Sequence, residues 1–179
     1  FGVLLVQLLV GCSTYTSVLA PIARIDTEVG YIYGRFTLEK PDTTGLFGFR
    51  LRAGLAVEEE NGANRYSIQF EPEGVPSVIA VKPGIYVLKK LTFATGDYIP
   101  SGEKNFQEGP LTAPFTVDPG KAYYIADFVV ATGGSSLGSS VTYWWKLKSV
   151  TDNYISTTAD VKKMLPQLES TTTTRAIIK

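Results

Sequence analysis

The chain has 179 residues, 44% hydrophobic and 12% aromatic, with 17 basic and 17 acidic side chains, a formal net charge of +0, one cysteine and no histidine. A composition this apolar and balanced excludes intrinsic disorder, and neutrality excludes the electrostatic footprint of a general nucleic-acid binder. Without histidine there is no Ser-His-Asp triad, Cys-His dyad or His-ligated zinc, and one cysteine makes neither an internal disulfide nor a thiolate metal cluster.

Phe1 to Val10 holds eight strongly apolar side chains, broken by Gly2 and Gln7. A bilayer span needs about 20 such residues, whereas the apolar region of a secretory signal needs about 7–15. Such a signal carries an initiator Met and a basic leader, so residues are expected before Phe1. The run ends in Leu9-Val10-Gly11-Cys12, which resembles the lipobox of bacterial lipoproteins: an aliphatic residue three places before the cysteine and a small residue directly before it. That resemblance implies signal cleavage after residue 11 and a diacylglyceryl group on the Cys12 sulfur. More than one acyl chain is needed for stable anchoring, each buried CH₂ being worth roughly 0.8 kcal/mol. The competing reading of the same residues is a buried strand with an incidental cysteine. Within the lipoprotein class, Asp after the cysteine favours retention in the inner membrane. Here Ser13 follows, which implies the outer membrane of a two-membrane bacterium. Ser13 to Ala23 carries no charge and reads as a tether. The expected organisation is a signal over 1–11, lipidated cysteine and tether over 12–28, a β domain over 29–150, and a helix and tail over 151–179.

Most of the remaining chain alternates with a period of two, the mark of half-buried strands. Ile32, Phe36 and Leu38 share one face, with Gly34 between them, while Tyr33 and Arg35 share the other. Phe47, Phe49, Leu51, Ala53, Leu55 and Val57 give the clearest alternation. Glu58 to Gly62 reads as a solvated turn. Tyr66, Ile68 and Phe70 follow, then strands near Val78–Val81, Ile85–Thr95, Phe115–Val117, Lys121–Ala131 and Val141–Val150. About seven to nine strands joined by turns describe an all-β, antiparallel sandwich. Two Pro-Gly turns, at Pro83-Gly84 and Pro119-Gly120, are expected as type II turns reversing the chain between paired strands.

One short C-terminal helix is expected. Thr157 and Asp160 have capping-box spacing, and Val161, Met164, Leu165 and Leu168 fall on one helical face. Pro166 ends it. The helix is expected to cover one end of the sandwich, and Ser170 to Thr174 to begin a mobile tail.

The phrases Ile79-Ala80-Val81-Lys82-Pro83-Gly84-Ile85-Tyr86 and Phe115-Thr116-Val117-Asp118-Pro119-Gly120-Lys121-Ala122-Tyr123-Tyr124-Ile125-Ala126-Asp127-Phe128 resemble those of bacterial lipoproteins of unknown function that carry a transthyretin-like (prealbumin-like) β-sandwich. The resemblance spans Tyr31 to Leu168. It implies that fold and an envelope location, and it supplies no catalytic residue and no cofactor. Ala126 stands where the group often has Gly.

Four features were weighed for chemistry. Gly133 to Ser140 superficially resembles a phosphate loop but lacks its Lys and a following helix, so it reads as a flexible hairpin loop. Trp144, with Lys146 and Lys148, is assigned outward; it either stacks on a sugar or a partner, with Tyr33 as a second aromatic of that patch, or lies under the C-terminal helix or a loop. Asp127 interrupts an apolar strand and is expected to pair with Arg35, Arg50 or Arg52. Glu58 to Glu60 with Asn61 or Asn64 lacks the spacing of a calcium loop, and no metal site is expected.

The sequence therefore points to a non-enzymatic envelope lipoprotein, bound to the bilayer through Cys12, with an envelope protein or a glycan as partner and no nucleic acid. The alternative is a carboxylate-dependent hydrolase of envelope glycans. It needs two carboxyl groups about 5–10 Å apart, and Asp127 with Glu71 or Glu73 is the pair to test.

Overall fold

The computed structural model describes residues 19, 24–39, 51–70, 74–95, 106–108, 112–137 and 140–176. Its strands are β1 (Gly30–Leu38), β2 (Leu51–Glu59), β3 (Arg65–Phe70), β4 (Ser77–Val81), β5 (Gly84–Thr95), β6 (Phe106–Glu108), β7 (Phe115–Val117), β8 (Lys121–Leu137), β9 (Ser140–Thr151) and β10 (Thr172–Arg175). Helix α1 (Tyr154–Met164) and a 3₁₀ turn (Pro166–Leu168) stand between the last two strands. The protein is all-β with two sheets and one short helix.

The first sheet runs β4–β1–β8, and the far edge of β8 is shared. β10 pairs with its start, Lys121 to Tyr124, and β9 with Asp127 to Leu137. The second sheet runs β3–β2–β5, with β7 on the start of β5 and β6 further along it. The two sheets face each other across one apolar core. Ile32, Phe36, Phe128 and Val130 enter from the first; Leu55, Val57, Ile68, Phe70, Leu88 and Leu91 enter from the second. Phe70 bridges them, its ring 6.2 Å from Phe36 and 6.1 Å from Phe128. Full burial of such a side chain contributes roughly 1.5–3 kcal/mol, so this layer dominates the stability.

The expectation of a purely antiparallel arrangement fails in the first sheet. β8 runs parallel to β1, and β10 runs parallel to β8. The cause lies in the two Pro-Gly turns, which do not join paired strands. Val81-Lys82-Pro83-Gly84 carries the chain from β4 in the first sheet to β5 in the second, and Val117-Asp118-Pro119-Gly120 carries it from β7 back to β8. Only Gly120 has the positive φ, 69°, that a type II turn requires.

A tyrosine ties each crossing down. The Tyr86 hydroxyl donates to the Lys82 carbonyl at 2.8 Å, and the Lys82 amide donates to the Tyr66 hydroxyl at 3.1 Å. The Tyr123 hydroxyl accepts from the Asp118 amide at 3.0 Å and donates to the Asp118 carboxylate at 3.1 Å. Proline offers no N–H, and a chain leaving its sheet has no ladder, so a side chain must satisfy these backbone groups. The resembling phrases thus encode inter-sheet crossings rather than hairpins.

The C-terminal segment differs from expectation at three points. α1 begins at Tyr154, three residues before the anticipated cap, and Asn153 occupies the cap position. The helix lies on the outer face of the first sheet, not at an end. There Val161, Leu165 and Leu168, on the anticipated face, join Tyr31, Tyr33, Val78, Ala122 and Tyr124 in a second apolar layer. The expected mobile tail is instead strand β10, followed by Ala176, whose amide donates to the Tyr124 carbonyl at 2.7 Å. β9 stops at the level of Asp127, which leaves the β8 edge below it free for a Thr-rich segment of high β-propensity.

Candidate functional site

The most concentrated polar chemistry among the described residues lies between α1 and the first sheet. Its origin is a local irregularity of β8. Tyr33 stands opposite Tyr124, yet Arg35 stands opposite Asp127, so β8 holds one extra residue there. Before this bulge Tyr123 and Ile125 face the main core; after it Ala126, Phe128 and Val130 do. The phase reverses, and Tyr124 and Asp127 come to the same outer face. Gly34 faces the bulge. A Cβ there would stand 2.7 Å from the Ala126 carbonyl oxygen and 2.9 Å from Ile125 Cγ1. The close backbone approach therefore falls on Gly34, with Ala126 supplying only its carbonyl.

Asp127 is 4% exposed. Its carboxylate accepts the Thr157 hydroxyl, 2.9 Å from both oxygens, the Tyr124 hydroxyl at 3.1 Å and the Asn153 amide at 3.2 Å. Arg35 is the cross-strand cation, as the sequence suggested, with Nε 3.9 Å from Asp127 Oδ2. That nitrogen is buried and makes no hydrogen bond, so its part in the pair is Coulombic. The Arg35 guanidinium also forms a short ion pair with Asp160 on the exposed side of α1. The Asp127 charge sits beneath the first turn of α1, where the helix dipole favours an anion. The site latches the helix to the sheet, and the carboxylate is occupied by groups of its own chain.

Thr157 and Asp160 hold different posts from those expected. Thr157 lies inside the helix, fully buried, and its hydroxyl serves Asp127 rather than the backbone. Only the phase change on β8 reveals this, and a single sequence read with strict alternation carries no sign of it.

Tyr33 is likewise not a surface aromatic. It is 0% exposed, 5.7 Å from Tyr124 between ring centroids, and its hydroxyl meets Thr158 Oγ1 at 2.6 Å. Burial pushes its phenol up to about 12. The cause of the misplacement is α1, which covers the face that alternation alone had left to solvent. Trp144 pairs with Gly133 through β9 and β8, but its side chain lies outside the described residues. Leu147 packs on the main core and Lys148 pairs with Glu39 at 3.6 Å.

Gly133 to Leu137 is strand, not loop. Gly134 pairs with Tyr143 and Ser135 with Thr142, so the hairpin extends well beyond Ala131. The Glu58–Glu60 run is absorbed by the β2–β3 turn: Glu58 pairs with Arg65 at 3.5 Å, Glu59 accepts from the Asn64 amide, and Asn61 accepts from the Ala63 amide. Among the described residues no group of three or more Cys, Asp or Glu is placed to hold a metal ion, and no helix is long and apolar enough to cross a membrane. Leu9, Val10, Gly11 and Cys12 lie outside the described residues, as do Arg50, Glu71 and Glu73 and the side chain of Arg52.

No family model and no curated protein matches the chain. Among solved structures it is similar to a leucine-rich repeat protein from Bacteroides thetaiotaomicron, at 16% identity and a TM-score of 0.31, over 56% of this chain and 14% of that one.

Proposed function

We propose that the protein is a bacterial envelope lipoprotein, acylated on Cys12, whose two-sheet body is a transthyretin-like sandwich acting as a binding or scaffold module for an envelope protein or glycan. The observation that carries this reading is Leu9-Val10-Gly11-Cys12 at the end of an apolar run, with Cys12 the sole cysteine. Ser13 directs the mature protein to the outer membrane. The body supports a non-catalytic role through Asp127, the carboxylate a hydrolase would recruit: its oxygens are taken up by Thr157, Tyr124 and Asn153 beneath a helix.

The test is metabolic labelling with an alkyne fatty acid in a bacterial host. The wild-type protein takes up label and fractionates with membranes, and Cys12→Ser abolishes both. An unlabelled wild-type protein in the soluble fraction overturns the proposal.

A further inference from the structure

We propose that Leu19 clamps the tether to the domain and so holds the β4 side of the first sheet against the bilayer. The inference rests on lipid anchorage at Cys12. The Leu19 amide donates to the Val78 carbonyl at 2.7 Å, alongside β4. The Leu19 side chain packs, with Ile25 and Val29, on the apolar layer that contains Val78 and Tyr31. β4 is an edge strand, whose outward backbone groups need a partner, and Leu19 supplies one. The clamp is reinforced downstream, where the Asp26 amide donates to the Tyr31 hydroxyl at 2.8 Å and the Gly120 amide to the Val29 carbonyl at 2.8 Å.

The consequence is one of reach. An extended chain spans about 3.5 Å per residue. From Cys12 to Gly30, where β1 begins, is 18 residues, or about 60 Å. From Cys12 to Leu19 is only seven, or about 25 Å. A domain of this size has a radius of gyration near 15 Å and is about 40 Å across. A 60 Å tether lets any face meet the lipid. A 25 Å tether fixed at the β4 edge does not, and the opposite edge at β10, about 14 Å further across the sheet, stays away from it.

The experiment uses the lipidated full chain in phosphatidylethanolamine–phosphatidylglycerol vesicles carrying a headgroup acceptor dye. Acylated Cys12 has no free thiol, so a donor can be placed on Val75→Cys, beside β4, or on Thr174→Cys, on β10; both positions are exposed. Transfer is expected to be at least about 2-fold stronger from position 75, and Leu19→Asp should equalise the two. Equal transfer in the otherwise native chain, or a difference that survives Leu19→Asp, overturns the orientation. Amide exchange reads the clamp without a variant. The Leu19 N–H should exchange at least about 10-fold slower than in a free peptide, and exchange at the free rate overturns the clamp. The mass of the N-terminal peptide separates the two levels: an unacylated Cys12 removes the membrane, whatever the Leu19 amide does.

Discussion

Removing the Asp127 carboxylate should loosen α1 from the sheet, and the structure gives the size of the effect. In Asp127→Ala the Asn153 amide keeps Thr151 Oγ1 at 3.1 Å, the Tyr124 hydroxyl keeps the Thr151 carbonyl at 3.0 Å, and Arg35 keeps Asp160. Thr157 keeps nothing: its hydroxyl is fully buried and is served by Asp127. Orphaning such a donor costs about 1–3 kcal/mol, and losing charge-assisted bonds adds to it. Arg35 is 20% exposed, so water offsets much of its lost attraction. The expected total is about 3 kcal/mol, which for a domain of this size lowers Tm by about 6–12 °C. Asp127→Asn retains an acceptor for Thr157 and should cost about 1–2 kcal/mol. The decisive assay is a double-mutant cycle with Thr157→Val, read by urea denaturation at constant m-value. A coupling energy of about 1–2 kcal/mol is expected for groups in direct contact. If the two changes add to within about 0.4 kcal/mol, the latch does not exist as described.

Three further outcomes follow from other contacts. Gly34→Ala should destabilise by about 2–3 kcal/mol through its clash with the Ala126 carbonyl, an overpacking cost visible as a lower denaturation midpoint. Tyr86→Phe should cost about 1 kcal/mol by freeing the Lys82 carbonyl, with Tyr66→Phe close behind, and a neutral result for both would show that the crossing needs no tyrosine. Tyr33 titrates at about 12 in the fold against about 10 when unfolded, so its contribution is complete below pH 10 and is lost as pH rises toward 12. Stability should fall over that window, and Tyr33→Phe should make the fall shallower.

Much of the β architecture is legible in the sequence, because burial on one face writes a period of two. Leu55, Val57, Ile68 and Phe70 enter the core as their alternation requires. The helix is legible for the same reason at period 3.6, and Pro166 marks its end. What escapes is whatever depends on a second layer or a phase change. One extra residue in β8 turns Asp127 toward the helix, and that helix buries Tyr33. Pro-Gly signals a sharp turn but not whether the chain stays in its sheet. Ser170 to Thr174 looks like a tail because its polar side chains hide that its backbone completes the β8 edge. Gly133 to Leu137 looks like a loop by composition, and pairing with β9 makes it strand.

The central claim is the lipid on Cys12, and the mass of the mature N-terminal tryptic peptide tests it most directly. The first charged residue is Arg24, so that peptide should run from Cys12 to Arg24 and carry the mass of a diacylglyceryl cysteine. A peptide that reads through Gly11 into an unmodified Cys12 contradicts the account.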